Sequence, residues 1–295
     1  MREIAEYYLS HHFNNVTLVT ESHQLMIEFE ILARGLYRAE QLIVHYDPTL
    51  RMPITPEVQV WMDAQWEHKL KLASEQKSLL YESQLFRFVS TQSCADGTLQ
   101  LVLGDTTYKE YVTSRLPEFA QGRTRQALGN AIAVCSVVET SDGAILLDKR
   151  QGVDGYQGRY HVIGGFFERE RDMADTMPDP FAAMRREIRE ETGIQSTDIA
   201  EAYCLGGVYD LGLPHGELCF LHRLCIPIST ALTRQPEDNE IQQLLTLHVT
   251  ATSLRDFILT HHGNISATGE ANLVLYGAWK YGEGWFQDMM CHICT

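Results

Sequence analysis

Apolar residues recur with two different periods in each half of the chain, and the changes of period mark out its elements. Leu25, Ile27, Phe29 and Ile31 alternate with Met26, Glu28 and Glu30, which predicts a strand with one wet face. Gln41 to Tyr46 predicts a second strand, and Asp47-Pro48, Pro53 and Pro56 break the chain before a helix. In that helix Val58, Met62, Trp66, Leu70 and Ala73 recur at helical spacing, which turns Trp66 into the core. Leu85 to Val89 and Leu99 to Leu103 read as a hairpin around Ala95-Asp96-Gly97, and Tyr108 and Tyr111 follow on one face of a short helix.

The composition turns between Gly122 and Gly129. Beyond it, Ala131 to Glu139 and Ala144 to Arg150 are two strands joined at Ser141-Asp142-Gly143, a strong turn signal. Tyr203 to Tyr209 and Leu218 to Ile226 are apolar enough to be strands of a mixed sheet, with Asp210 to Gly216 between them. Ser253 to Leu259 and Ser266 to Tyr281 close the chain as two helices, and Cys291, His292 and Cys294 read as a frayed terminus. Strand and helix periods in both halves predict an α/β protein in two parts, residues 1–125 and residues 126–295.

Composition narrows the function. The chain has 39 acidic and 24 basic residues, a formal charge of −15, which argues against a nucleic-acid partner and repels anionic substrates unless a cation intervenes. Seven cysteines without a dense framework suggest reduced thiols in a cytoplasmic protein. The charged start Met1 to Glu6 is not followed by an apolar signal core. The longest apolar run, about eight residues from Ala131 to Val138, falls far short of a membrane span. A soluble protein is expected, and no membrane or oligomeric partner is assigned.

The candidate chemistry lies in Gly164-Gly165-Phe166-Phe167-Glu168 and in Asp179 to Ile194. Asp179 is placed to cap a helix whose first residue is Pro180, and Gly193 to end it in the left-handed conformation. Phe181, Met184 and Ile188 form its apolar stripe, while Glu187, Glu190 and Glu191 lie together on an adjacent face. Like charges there repel, and Glu190 and Glu191 also sit at the end of the helix where its dipole disfavours anions. Arg186 and Arg189 project to other faces and relieve the cluster only in part, so a hard divalent cation is the expected complement. The glycine pair lets backbone approach closely, and Glu168 adds a carboxylate at the helix entrance. Nucleophile-elbow, P-loop and dinucleotide-binding glycine patterns are absent.

Arg186 to Ile194 resembles the second half of the Nudix box, and Gly164, Gly165 and Glu168 resemble its first half. The chain departs from the pattern in an insertion, Arg169 to Met177, and in Pro178, which stands where the family has a glutamate just before the helix. The insertion is polar and is expected to be mobile, either as a loop at the rim of the site or as a surface excursion without a role. Val60 to Glu67, Leu99 to Tyr111, the lengthened box and Ala271 to Tyr276 extend the resemblance to the Nudix hydrolases of UDP-glucose and UDP-galactose found in animals.

The resemblance implies a Nudix α/β/α sandwich with a mixed sheet, preceded by a smaller N-terminal α/β domain that helps to recognise substrate. It implies hydrolysis of a UDP-sugar to UMP and sugar 1-phosphate with Mg²⁺, or Mn²⁺ in its place. Metal ligands would be Gly165, Glu168, Glu187, Glu190 and Glu191, with Arg186 as a brace. Glu187 or Glu240 would take the proton from water, with Glu237 as runner-up, and Tyr108, Tyr111 or Arg115 would contact a uridine or a phosphate. Apart from the resemblance, Lys149 and Arg150 end a strand close to the glycine pair, and one of them, Arg150 above all, is expected to meet a phosphate. Hydrolysis of ADP-ribose, of another nucleotide sugar or of NADH, and a non-catalytic nucleotide-sugar sensor, remain open alternatives.

Overall fold

The structure is a computed structural model that describes residues 27–76, 80–151, 155–237, 241 and 244–294. Its main sheet is mixed and runs β1 (Phe29–Tyr37), β11 (Ile199–Asp210), β12 (His215–Leu224), β5 (Ile132–Glu139), β6 (Ala144–Lys149) and β13 (Leu244–His248). Two short strands complete it, β7 (Tyr160–His161) beside β6 and β8 (Ile163–Phe166) beside β5. The pair β5 and β12 is parallel, and the other pairings are antiparallel.

Every residue of β5 is buried because both faces of the sheet are covered, as expected of an unbroken apolar run. Val134 and Val138 face one core with Phe181, Met184 and Ile188 of helix α3 (Pro180–Thr192). Cys135 and Val137 face the opposite core, filled by helices α4 (Ala251–His261), α5 (Ala267–Tyr281) and α6 (Glu283–Ile293). Two closing helices are too few: α6 continues past Gly282, and its Phe286, Met289 and Ile293 are buried at helical spacing. Cys291 and Cys294 are exposed at its end and form no disulfide.

The N-terminal region forms a separate, smaller sheet in the order β2 (Leu42–Tyr46), β4 (Leu99–Thr107), β3 (Gln84–Ser93). Helix α1 (Pro56–Gln76) buries Met62, Trp66 and Ala73, and helix α2 (Tyr108–Ser114) starts at Thr107, whose hydroxyl accepts from Glu110 N–H. Strand β1 departs from expectation. Read as part of the N-terminal region with one wet face, it is instead the edge strand of the main sheet, and two register shifts interrupt its alternation.

Leu99, Leu101 and Leu103 of the small sheet also share one core with β5 and α3. A boundary near residue 125 remains a proposal about folding units, and these contacts shape its test. Protease nicking near residue 125 is expected to leave the two pieces associated on gel filtration, since β1 stays paired with β11. Spontaneous separation of the pieces would count against that shared core. Among the described residues, no helix is long and apolar enough to cross a membrane.

Candidate active site

Two local rules place the central helix. The Asp179 carboxylate accepts from Ala182 N–H at 2.9 Å, Pro180 is the first helical residue, and Gly193 closes the helix at φ 73°. Gly193 also lies against the 235 backbone, where an added Cβ would stand 2.2 Å from Gln235 O. The apolar stripe then docks on β5 and β8, which turns Glu187 and Glu191 toward the glycine pair.

Gly164 pairs with Cys135, and Gly165 with Val134. A Cβ on Gly165 would stand 2.5 Å from Glu187 Oε1, and one on Gly164 would stand 2.4 Å from Val134 O. Gly164 N–H donates to Glu191 Oε2 at 3.2 Å. The two buried carboxylates therefore lie along the glycine strand, each against its own residue, while Glu190 turns outward to Arg171.

The arginines occupy this site more fully than their helical positions suggest. Arg186, expected to project elsewhere, is buried at its centre, with NH1 2.7 Å from Glu187 and 3.1 Å from Glu190. Its Nε and NH2 donate to the two oxygens of Asp172 at 2.8 and 2.7 Å. Burial opposes the guanidinium charge, yet these carboxylates raise its pKa above the ordinary value. Arg189 lies 3.6 Å from Glu190 and pairs with Glu237 at 2.9 Å. Glu168 is half-buried and its pKa is raised by that burial, against the fields of Arg186 and Arg171.

The insertion is anchored, contrary to the mobile loop expected. Met173–Ala174 and Met177–Pro178 pair as a two-stranded hairpin, and Asp172 is buried beneath it. Asp172 had no spacing signal in the sequence. The one available clue was that Arg186, within the helix and among its carboxylates, leaves a fork of donors for a further acceptor.

Of the remaining expected residues, Glu237 is exposed and its N–H donates to Glu190 O at 2.9 Å, which ties its loop to the helix. Glu240 lies outside the described residues. Arg150 Nε donates to Gly155 O at 3.0 Å, within the loop after β6. Tyr108 and Tyr111 meet the ring of Phe166 edge-on, with centroids 5.7 and 5.5 Å away. Both tyrosines thus adjoin the residue that follows the glycine pair. Tyr111 is buried, and its hydroxyl accepts from Arg115 NH1 at 2.9 Å and stands 3.3 Å from His215 Nδ1.

The donor set is chemically suited to a hard cation, since it consists of carboxylate oxygens around a closely approaching backbone. Among the described residues, however, no three His, Cys, Asp or Glu side chains stand close enough together to hold a metal ion. The glutamates lie along the glycine strand and against arginines instead of converging on one point.

A second buried polar group lies at the turn from β11 to β12. His215 Nε2 is 3.3 Å from Glu217 Oε2, and His215 Nδ1 is 4.0 Å from Asp210 Oδ2. Burial would raise the Glu217 pKa, but the hydrogen bond with His215 and the fields of His161 and His215 hold it at about 2. Burial would lower the His215 pKa, but the Glu217 bond and the Asp210 charge raise it. The depressed carboxyl stabilises the fold above its ordinary 4.5 and loses that contribution as pH falls toward 2. The raised imidazole contributes fully below its ordinary 6.5 and loses its contribution as pH climbs through the raised value. Glu217→Gln is accordingly expected to flatten the fall of unfolding temperature between pH 4.5 and 2. An acid limb as steep as that of the parent protein would contradict this pairing.

No family model and no curated protein matches the chain. Solved structures do. The NUDIX domain of Shewanella oneidensis NrtR, complexed with ADP ribose, is 14% identical over 56% of this chain and 96% of that one, with a TM-score of 0.39. A bifunctional NMN adenylyltransferase/ADP ribose pyrophosphatase from Francisella tularensis is 14% identical over 58% of this chain, with a TM-score of 0.38, and the match spans 46% of its length. An ADP compounds hydrolase is 16% identical over 70% of this chain and 98% of that one, with a TM-score of 0.39.

Proposed function

We propose that the chain is a Nudix-type hydrolase that cleaves the diphosphate of a nucleotide sugar, with UDP-glucose or UDP-galactose preferred. The observation that carries the reading is the buried pair Glu187 and Glu191, one against Gly165 and the other bonded to Gly164 N–H, on a helix capped at both ends. Arg186 and the Gly164 N–H offset part of the cost of holding these carboxylates out of water, and a cation with its phosphates would complete the compensation.

In this reading Glu187, Glu190, Glu191, Glu168 and the Gly165 carbonyl would hold Mg²⁺. The chemistry a bound Mg²⁺ supplies is neutralisation of phosphate oxygens and a lower pKa for the attacking water. Arg186 keeps the helix carboxylates in place and Glu187 or Glu240 takes the proton. The water oxygen bonds to one phosphorus, the bond to the bridging oxygen breaks, and UMP and hexose 1-phosphate leave. Tyr108 and Arg150 would meet the nucleotide, and Tyr111, itself buried, would act on it only by backing the ring of Phe166. Discrimination between bases would come from polar groups that the wrong base leaves unpaired.

One observation keeps a second reading open. Pro178 stands where the Nudix box has a glutamate just before the helix, a loss expected of a ligand sensor that binds without turnover. A panel of UDP-sugars, ADP-ribose, NADH and nucleoside triphosphates with Mg²⁺, and products separated by chromatography, tests both. UMP and hexose 1-phosphate as dominant products are expected. A kcat/KM for ADP-ribose tenfold above either UDP-hexose would overturn the substrate, and cation-dependent binding of UDP-sugar without release of UMP would favour the sensor.

A further inference from the structure

The turn that follows the glycine pair is tied at both ends. Toward the N-terminal sheet, Phe86 N–H donates to Phe167 O at 3.2 Å, and Arg169 N–H donates to Gln84 O at 2.9 Å. The Arg169 guanidinium closes that end, donating from Nε to Leu85 O at 3.1 Å and from NH1 to Asp105 at 2.7 Å. Toward the helix, Asp172 is 3% exposed and its Oδ2 also accepts from Glu168 N–H at 2.8 Å. The backbone holds it as well, through Asp172 N–H to Glu168 O at 3.0 Å and Asp179 N–H to Asp172 O at 2.9 Å.

A guanidinium has five N–H groups, and those of Arg186 are matched. Nε and NH2 face the Asp172 oxygens, NH2 also donates to Phe166 O at 3.1 Å, and NH1 reaches Glu187 at 2.7 Å and Glu190 at 3.1 Å. A planar group gripped at two nitrogens cannot rotate about its long axis. Its third nitrogen is therefore shared between two glutamates and takes neither in a two-point grip.

We infer that Asp172 is a positioning residue for the carboxylate site: from the insertion, it fixes the Arg186 fork so that Arg186 braces Glu187 and Glu190 without sequestering either. The inference rests on the proposed hydrolase site. Without the Asp172 charge the guanidinium turns onto one glutamate, takes both its oxygens and withdraws it from a cation. Arg169 supplies the opposite anchor, so the insertion ties the N-terminal sheet to the helix.

The test is Mn²⁺ binding to the whole protein, followed by electron paramagnetic resonance of the free ion. Asp172→Asn is expected to weaken binding by about 10-fold to 100-fold, the usual scale for losing a partner of a ligand. With Arg186→Lys, which cannot form the fork, the same change should cost no more than about twofold. Equal losses in both backgrounds would mean that Asp172 acts by charge alone, and would overturn the inference, as would unchanged affinity. The Arg186 Nε proton, followed by NMR without any cation, should exchange slowly in the parent protein and quickly in Asp172→Asn; equal protection would also overturn it. Should Asp172→Asn fail to fold, Asp172→Glu keeps the charge and is expected to retain both slow exchange and binding, and losing both would overturn the fork. A parent protein that binds no Mn²⁺ would end the hydrolase reading, while the NMR comparison still decides the role of Asp172.

Discussion

Glu191→Gln should lower kcat for nucleotide-sugar hydrolysis by about 10²-fold or more while leaving the fold intact, the usual scale for a lost electrostatic catalytic group. Glutamine keeps an oxygen that can accept from Gly164 N–H, so the 3.2 Å contact that seats the helix end survives and only the charge is lost. Glu187→Gln should act alike, because its carboxylate lies at Gly165 and Asp172 still neutralises Arg186. Circular dichroism and unfolding temperature close to those of the parent, beside a collapsed kcat, would separate chemistry from folding. Full turnover in the double variant Glu187→Gln/Glu191→Gln would remove the site from this helix.

The neighbouring glycines should fail in opposite ways when each is changed to alanine. At Gly165 the new Cβ meets the far end of the Glu187 side chain, with Oε1 at 2.5 Å and Cδ and Oε2 at 2.6 Å. That side chain can yield, so stability should fall by less than the ~1–3 kcal/mol typical of overpacking, but the carboxylate is displaced. A displacement near 1 Å at a reacting group can cost about 10²-fold, and a loss of that order in kcat is expected. At Gly164 the Cβ meets Val134 O at 2.4 Å and Cys135 Cα at 2.7 Å, both backbone. Neither can move without parting β5 from β8, so Gly164→Ala should cost ~1–3 kcal/mol or more in urea unfolding. Gly165→Ala with kcat within threefold of the parent would show that Glu187 does not need its place against the strand.

The parts of this site that were legible in the sequence are those governed by neighbours along the chain. Asp179 and Gly193 act within one turn of their own backbone, and both perform as caps where the sequence places them. The stripe Phe181, Met184 and Ile188 follows from helical period and is buried. The unbroken apolar run from Ala131 to Val138 announces a strand covered on both faces, which β5 is. Helix α6 carries a helical period in Phe286, Met289 and Ile293, but it is short and follows Gly282, which reads locally as the end of the preceding helix.

What lay beyond the sequence depended on pairing between distant segments. Leu25 to Ile31 show strand period, but a strand's own pattern does not name its partner, and β1 pairs with β11 at positions 204–210. Helical geometry sets the direction of Arg186 Cβ but not the end of a flexible side chain. Its guanidinium goes where Asp172, 14 residues away, places two oxygens. Asp172 reaches that point only because the turn before it pairs with β3 and β4 of the other sheet. Sequence alone therefore determined the helix, its caps, the glycine pair and the three glutamates, because short-range sterics and periodicity act within a few residues. Tertiary structure decided which carboxylates face the strand and which meet arginine, because long side chains take their final positions from partners that folding brings together.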